Sequence, residues 1–394
     1  IVTTWAIDLL FGDAISDPWS GKWWWIVLTA GGALLVTAIR KALTVPEEVP
    51  GAIAMAKAAR VDPKLAPKLV TVSVVSLVAG ASLGPSFALV MLGGGLGSWI
   101  ASKRWPGDET ARLDTTMAGV SGGFGGAFTS PGLGTLIVTE LAPTPKDRYI
   151  ESILPQLIAA TVAFAVFYGA VGTTFLNSFA VPVDDFASWH LLVGAALGLV
   201  SSVIMIVFVV IVKLIQMVAA KVTNAYVRGA VGGGLVGLIA FALPLTAGAG
   251  NDQLTTVIDE SASISIWLLV AVLVGKMLAM AISLAAGFIG GNVLPMLFVG
   301  GTAGVVAHLM FPDIPFAIAV GCMLAAVPGA TIKAPVGLTF IAVLAVGLGS
   351  AQFQTVKKPL VVERVDVTLT AATSAPVRSG AVDGSNVVID PALG

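Results

Sequence analysis

Long apolar runs alternate with short polar or Gly/Pro breaks along most of this chain. The runs lie at about residues 69–83, 87–101, 116–141, 152–180, 189–219, 229–245, 265–288, 293–310, 315–327 and 334–349. Several are shorter than the roughly 20 residues that a helix needs to span a bilayer, whereas others exceed about 25 and contain Gly or Pro. This unevenness predicts an all-α polytopic membrane protein with tilted, broken and re-entrant helices, since lipid tolerates irregular backbone only where protein or a water-filled cavity surrounds it.

A further apolar run starts at three tryptophans, residues 23–25, and ends at Arg40-Lys41. Tryptophan is enriched at membrane–water interfaces, and cytoplasmic loops carry an excess of basic residues. Four more basic residues follow between Lys57 and Lys68. The Arg40–Lys68 side is therefore predicted to be cytoplasmic. The Ala/Val/Gly-rich composition and the short loops favour a prokaryotic plasma (inner) membrane.

Two stretches of the chain, residues 84–97 and 291–304, share one register of glycines. The matched pairs are Gly84 with Gly291, Gly93 with Gly300, Gly94 with Gly301, and Gly97 with Gly304. A second echo relates residues 126–132 to residues 329–335 at nearly the same offset. Breaks at matching places in two halves of a membrane chain indicate an internal repeat with a binding site between the halves.

The repeat divides the chain into four segments. We expect an N-terminal surface segment at 1–22, a first membrane repeat at 23–185, a second membrane repeat at 186–350, and a last pore helix with a polar cytoplasmic tail at 351–394. Because Ile1 stands in what resembles the tail of a helix, we also expect residues upstream of it to be missing from this numbering.

The breaks predict an anion pathway. A helix that starts at a break presents unpaired N–H groups and the positive end of its dipole, which attract an anion without a full positive charge. Breaks at Gly84 and Gly291 would aim two such ends at one point. No Lys or Arg occurs at 69–102 or at 277–332, and weak dipoles favour conduction because a bound anion must also leave. The alternative is that the glycines only permit close helix packing.

Composition supports the membrane assignment and excludes several functions. The chain is 57% hydrophobic and 11% charged, with a mean hydropathy of +0.96, whereas a soluble domain has about 25% charged residues. A net charge of −1 without a basic stretch gives no reason to expect a nucleic-acid partner. A single cysteine, Cys322, and two distant histidines predict neither a disulfide framework nor a metal centre. With no nucleophile–base pair at intramembrane positions, we expect neither an enzyme nor a cofactor.

Two motifs at the breaks resemble those of a known family. Residues 291–295 read Gly-Asn-Val-Leu-Pro and precede a Gly-Gly pair. This is similar to the Gly-x-Phe-x-Pro signature of the CLC family of chloride channels and proton/chloride antiporters. Residues 84–88, Gly-Pro-Ser-Phe-Ala, lie where that family has Gly-Lys/Arg-Glu-Gly-Pro.

Three further segments follow in the family's order. Residues 46–50, Pro-Glu-Glu-Val-Pro, lie at its Gly-Ser-Gly-Ile-Pro, and residues 127–140 resemble its Ala-Phe-Asn-Ala-Pro helix. Residues 358–360, Lys-Pro-Leu, resemble the start of its last pore helix. The resemblance covers about residues 23–363, although the segment before residue 358 looks about one helix too short.

The resemblance implies a CLC-like inverted repeat and an anion-selective homodimer with one pore per subunit. Chloride or another small inorganic anion would be the transported substrate, and the lipid bilayer the surroundings. The anion pathway that it implies comprises Gly84, Ser86, Phe87, Asn292, Val293, Leu294 and Val361.

This sequence departs from the family at each functional side chain. The gating Glu falls on Ser86, or on Leu83 if the Gly-Pro pair sets the register, and the inner proton carboxylate falls on Leu141. The anion-holding Ser and Tyr fall on Glu47 and Val361.

The missing carboxylates predict passive anion conduction. Intramembrane carboxylates are the usual proton relays, and no Asp or Glu occurs at 63–107. Glu47 or Glu48 could instead form a pH-dependent gate, or simply favour a helix N-terminus. Glu140 could be a buried structural carboxylate or a proton carrier. The alternatives are therefore a proton-coupled antiporter that uses these three carboxylates, and a non-conducting membrane scaffold or sensor.

Overall fold

Helices form nearly all of the regular structure. The computed structural model describes residues 19–47, 49, 61–142, 148–172, 179, 181, 187–332 and 334–346. Within these residues the only pairing of extended backbone is an isolated bridge between Gly84 and Gly291. The prediction of an all-α fold is confirmed.

The described residues contain thirteen α-helices. The first half holds α1 (Trp24–Ala42), α2 (Ala66–Val78), α3 (Ser86–Arg104), α4 (Glu109–Ala127), α5 (Pro131–Leu141) and α6 (Tyr149–Val171). The second half holds α7 (His190–Ala220), α8 (Ala225–Ala242), α9 (Asn251–Asp259), α10 (Ile266–Ala286), α11 (Val293–Met310), α12 (Phe316–Gly329) and α13 (Pro335–Val346).

The helices differ widely in length, as the uneven apolar runs predict. Among the described residues, α1, α6, α7, α8, α10 and α11 are long and apolar enough to cross a membrane. The apolar helices α2, α12 and α13 have 13, 14 and 12 residues, too few to cross a hydrocarbon core of about 30 Å. In contrast, α7 has 31 residues and is about 46 Å long, so it must tilt to remain within the core.

The apolar run at 116–141 contains parts of two helices, α4 and α5, with a break at residues 128–130. Helix α4 already starts at Glu109, where the Asp108 side chain accepts hydrogen bonds from backbone N–H groups of the first turn. The chain then turns through Thr129, whose φ is +48°, and Ser130 caps the start of α5. The polar first turn of α4 concealed its start from a search for apolar runs. The short polar helix α9 was missed for the same reason.

Close glycine contacts join neighbouring helices at matching places in the two halves. A Cβ atom at Gly93 would collide with the backbone carbonyl of Gly119, and one at Gly300 would collide with that of Met323. Helix α3 therefore lies directly on α4, and α11 lies directly on α12. Close helix packing is therefore sufficient to explain why Gly93 and Gly300 are glycines.

Burial separates central from peripheral helices. In α11, 67% of the spanning segment is buried, compared with 22% in α7. The outward-facing side chains of α7 include Leu192, Leu199 and Ile206, which are exposed. A continuous exposed aliphatic surface of this kind suits contact with lipid tails. The start of α11 is thus enclosed by protein, as a pathway through the molecule requires.

Candidate functional site

The two breaks meet directly. The N–H of Gly84 donates to the carbonyl of Gly291, and the N–H of Gly291 donates to the carbonyl of Gly84, both at 2.7 Å. These two bonds form the isolated antiparallel bridge. An antiparallel pair that exchanges both hydrogen bonds is locally two-fold symmetric, and here its two members occupy equivalent positions of the two halves. The bridge therefore lies where the two halves are related as an inverted repeat.

Two buried serines accept hydrogen bonds from the segments on either side of this bridge, again in a reciprocal way. The N–H of Ile289 donates to Oγ of Ser76 at 3.1 Å, and the N–H of Ser82 donates to Oγ of Ser283 at 3.1 Å. Each serine belongs to one half and binds the break of the other. Both serines are fully buried. Each thus satisfies a backbone donor that would otherwise be costly to bury.

Each helix start packs against the glycine of the opposite break. A Cβ atom at Gly291 would collide with Oγ of Ser86 and would lie 2.9 Å from the backbone nitrogen of Phe87. A Cβ atom at Gly84 would lie 3.3 Å from Cβ of Leu294. The structure therefore brings together the first turns of α3 and α11. Position 291 has no room for a larger residue than glycine, and position 84 has little.

Among the described residues, neither helix start has a side-chain cap. Helix α3 begins after Pro85 and α11 after Asn292, and within this part of the chain no side chain accepts a hydrogen bond from their first N–H groups. A helix leaves these first N–H groups without intrahelical partners. The N–H groups at 86–88 and at 293–294 lie in these first turns, where the positive ends of two helix dipoles meet.

Two polar side chains accompany these backbone donors. The Ser86 side chain is 4% exposed and lies at the first position of α3. Oδ1 of Asn292 is buried and has no hydrogen-bond partner among the described residues. Rotation of this amide by 180° would place its NH2 donors in the same position. Buried polar groups are normally hydrogen-bonded, so this end of the Asn292 amide is a polar group that remains available beside the helix start.

Leu83, the other position for the family's gating Glu, is fully buried. A Cβ atom at Gly290 would lie 2.6 Å from Cβ of Leu83. This side chain packs against the second break, whereas Ser86 stands at the helix start beside the free N–H groups.

The carboxylates of the sequence prediction lie in separate places. Glu47 is exposed in the connection after α1, where Nη2 of Arg40 donates to its backbone carbonyl at 2.9 Å. The Glu140 carboxylate accepts from the N–H groups of Val336 at 2.9 Å and Gly337 at 2.7 Å. Glu140 therefore caps the start of α13, which favours negative charge. Leu141 beside it is buried.

Two predicted site residues, Glu48 and Val361, lie outside the described residues. Sequence reasoning also missed Ser76, Ser283 and a fully buried lysine, Lys276. The serines could have been found, because they are related by the same offset as Gly84 and Gly291. Nothing in the apolar pattern indicated a partner for the lysine.

A comparison with protein families decides the relationship. The family described as "Voltage gated chloride channel" matches residues 28–352. The chain belongs to this family, the CLC family. The match includes both breaks, both helix starts and the reciprocal serines.

The curated relatives are ion-transport proteins of bacteria. A protein named "Putative ion-transport protein YfeO" from Escherichia coli (strain SMS-3-5 / SECEC) is 26% identical over 269 residues, which cover 67% of this chain and 63% of the relative. The protein of the same name from Shigella flexneri is 25% identical over the same shares. The chain thus spans about 63% of the length of these relatives.

Solved structures share the fold. A slow cyanobacterial Cl−/H+ antiporter superposes with a TM-score of 0.70 and 17% identity, over 91% of this chain and 94% of the other. A CLC-type fluoride/proton antiporter gives a TM-score of 0.61 and 18% identity, over 88% and 92%. At this level of identity the likeness confirms the CLC fold.

Proposed function

We propose that this CLC-family protein transports chloride or a similar small inorganic anion passively, without coupling to protons. The observation that carries the proposal is the meeting of two uncapped helix starts at the Gly84–Gly291 bridge. Their free N–H groups supply hydrogen-bond donors and partial positive charge in a buried place. The sequence around them, residues 63–107, contains no carboxylate.

The anion would exchange its hydration shell for protein donors at this junction. Backbone N–H groups at 86–88 and 293–294, with the Ser86 hydroxyl and the Asn292 amide, supply them. None of these groups carries a formal charge, so binding stays weak enough for the anion to leave. Gly84 and Gly291 bond to each other, and their role is to hold the two helix starts together.

Proton coupling lacks its usual groups along this path. Where the CLC motif has its gating Glu, this chain has Ser86, and where it has the inner carboxylate, this chain has Leu141. Glu140 is engaged with two backbone N–H groups of α13. Both carboxylate oxygens of Glu140 are thus occupied as a helix cap, which favours a structural role for this residue.

We further propose a homodimer with one pathway per subunit in the plasma membrane of a bacterium. The CLC resemblance implies this assembly, and the named relatives come from bacteria. The exposed aliphatic face of α7 fits the lipid surroundings.

The experiment is anion efflux from liposomes that contain the purified protein, with external chloride and pH recorded together. Passive transport predicts that chloride efflux continues only while an ionophore dissipates the membrane potential. It also predicts no more proton movement than in empty liposomes. Efflux that drives protons against their gradient would refute the uncoupled mechanism. Fluoride, in parallel, would show which halide is preferred.

A second candidate is a proton/anion antiporter, favoured by the two structurally similar proteins, which are a fluoride/proton antiporter and a Cl−/H+ antiporter. The exposed carboxylate of Glu47 would then be the group to test, because Glu140 is occupied as a helix cap. In that case Glu47→Gln would abolish proton movement and leave anion efflux. Absence of any halide flux would instead favour a membrane scaffold or sensor.

A further inference from the structure

A lysine without exposed surface lies inside the second half. Lys276 belongs to α10 and has 0% exposure. Its Nζ donates to three backbone carbonyls in the connection after α8, those of Gly248 at 2.7 Å, Thr246 at 3.1 Å and Ala247 at 3.4 Å. An ammonium group has three N–H donors and no acceptor, which fits three backbone carbonyls around Nζ.

This charge is balanced by dipoles alone among the described residues. The ion pairs found among the described residues involve Arg112 and Arg148. The Nζ of Lys276 also lies 5.1 Å from the centroid of the Phe298 ring. A buried cation inside a membrane protein is costly, and such residues commonly serve the substrate pathway. Lys276 therefore calls for a functional explanation.

The first half carries a matching arrangement with a different residue. Nη2 of Arg40 donates to the carbonyls of Pro46 at 2.6 Å and Glu47 at 2.9 Å. These carbonyls lie four and five residues after the end of α1, as those of Thr246 and Ala247 do after α8. One basic side chain in each half thus binds the carbonyls of the corresponding connection.

Both cations also reach the junction of the halves. The Thr246 carbonyl that binds Lys276 accepts a second hydrogen bond, from Oγ of Ser82 at 3.4 Å. Ser82 lies two residues before Gly84 in the bridge. Nη1 of Arg40 donates to the carbonyl of Gly287 at 2.7 Å, four residues before the other bridge glycine. Each cation is therefore tied to the break of the opposite half.

We infer that Lys276 and Arg40 are paired positioning residues of the anion pathway, which bind the carbonyls of the two connections and give the junction its net positive potential. This inference rests on the proposed anion transport. Carbonyl oxygens that faced the junction would repel an anion. The two cations bind these oxygens by hydrogen bonds and so offset their negative partial charge. Lys276 contributes more of this positive potential than Arg40. No carboxylate lies beside Lys276 in the described residues, whereas Arg40 binds the backbone of a glutamate, Glu47.

The test replaces Lys276 by Gln, which keeps hydrogen-bond donors without charge, and by Arg, which keeps the charge. We expect Lys276→Gln to raise the half-saturating chloride concentration for liposome efflux by at least about fivefold, because a fixed unit charge in a low-dielectric site is removed. Lys276→Arg should remain within about twofold of the wild type. Lys213→Met, which removes an exposed lysine from α7, is the matched control and should change nothing.

A second readout distinguishes this inference from the proposed transport. Chloride that binds the folded protein raises its thermal unfolding temperature, so the shift between chloride and gluconate measures binding without flux. We expect Lys276→Gln to lose most of this shift and Lys276→Arg to keep it. A Lys276→Gln variant with wild-type half-saturation, or with the full chloride shift despite lower stability, would overturn the inference. A wild type that shows the shift but no efflux would contradict the transport proposal alone.

Discussion

At the scale of single residues, the side chain at position 86 decides whether the proposed pathway has a fixed negative charge at the start of α3. A hydroxyl donates a hydrogen bond to an anion and carries no charge, whereas a carboxylate repels the anion until it is protonated. Ser86 stands at the first position of α3, against the opposite glycine Gly291. A side chain at this position can therefore reach the junction from the helix start.

Restoring a carboxylate at this position should create a proton-sensitive gate. We expect Ser86→Glu to slow chloride efflux several-fold at neutral pH. Efflux should recover as the pH falls through the carboxyl pKa, ordinarily about 4.3, because protonation removes the negative charge. Stopped-flow efflux from liposomes between pH 4 and pH 8 would measure this.

Ser86→Gln is the control, since it has nearly the same size and no titratable group. It should show no comparable recovery at low pH. Equal pH profiles for the Glu and Gln variants would contradict the placement of Ser86 on the pathway.

Sequence could predict that Gly84 and Gly291 occupy equivalent breaks, because a shared glycine register survives when other residues diverge. It could not predict that they bond to each other, since the offset alone does not give the distance between the halves. The same offset relates Ser76 to Ser283, but it does not show what either serine binds. An isolated serine in an apolar run carries no periodic signal, and its partner, the N–H of Ile289, is a backbone group.

At the scale of elements, the reciprocal serines and the packed glycines fix the positions of α2, α3, α10 and α11. The serines secure the breaks, and the glycines secure the helices behind the breaks. Rigid placement matters here because the donors that meet the anion are backbone groups, which move only with their helices.

Removal of one reciprocal serine should destabilise the fold. Ser76→Ala leaves the buried N–H of Ile289 without its acceptor, at an expected cost of about 1–3 kcal/mol. The unfolding temperature in detergent should fall accordingly. Ser73→Ala is a matched control on the same helix, since Ser73 is equally buried and its Oγ has no hydrogen-bond partner in the described part of the chain. Similar losses in both variants would contradict the role of Ser76.

A methyl group at Gly300 should separate α11 from α12. Its Cβ would collide with the Met323 carbonyl, and overpacking of this kind costs about 1–3 kcal/mol. We expect Gly300→Ala to lower both the unfolding temperature and the amount of folded protein. Gly31→Ala in α1, where a Cβ atom meets nothing within 4 Å, should leave both unchanged or slightly raised. An unaffected Gly300→Ala would show that the two helices lie further apart.

At the scale of the whole molecule, the sequence supports a CLC-like inverted repeat, and the fold confirms it. Apolar runs located most of the helices because lipid and the protein core select the same side chains. The apolar runs did not locate the start of α4 or the whole of α9, because these segments are polar. The buried position of Lys276 could not be predicted, because a single basic residue inside an apolar run does not identify its partners.

The central claim, passive anion transport through the junction, is tested most directly by a reversal potential. Wild-type protein would be placed in a planar bilayer with equal chloride on both sides and a pH difference across the membrane. Uncoupled transport predicts a reversal potential of zero at every pH difference, since chloride alone carries the current. A potential that shifts steadily with the pH difference would show that protons are coupled to the anion, and would contradict the proposed function.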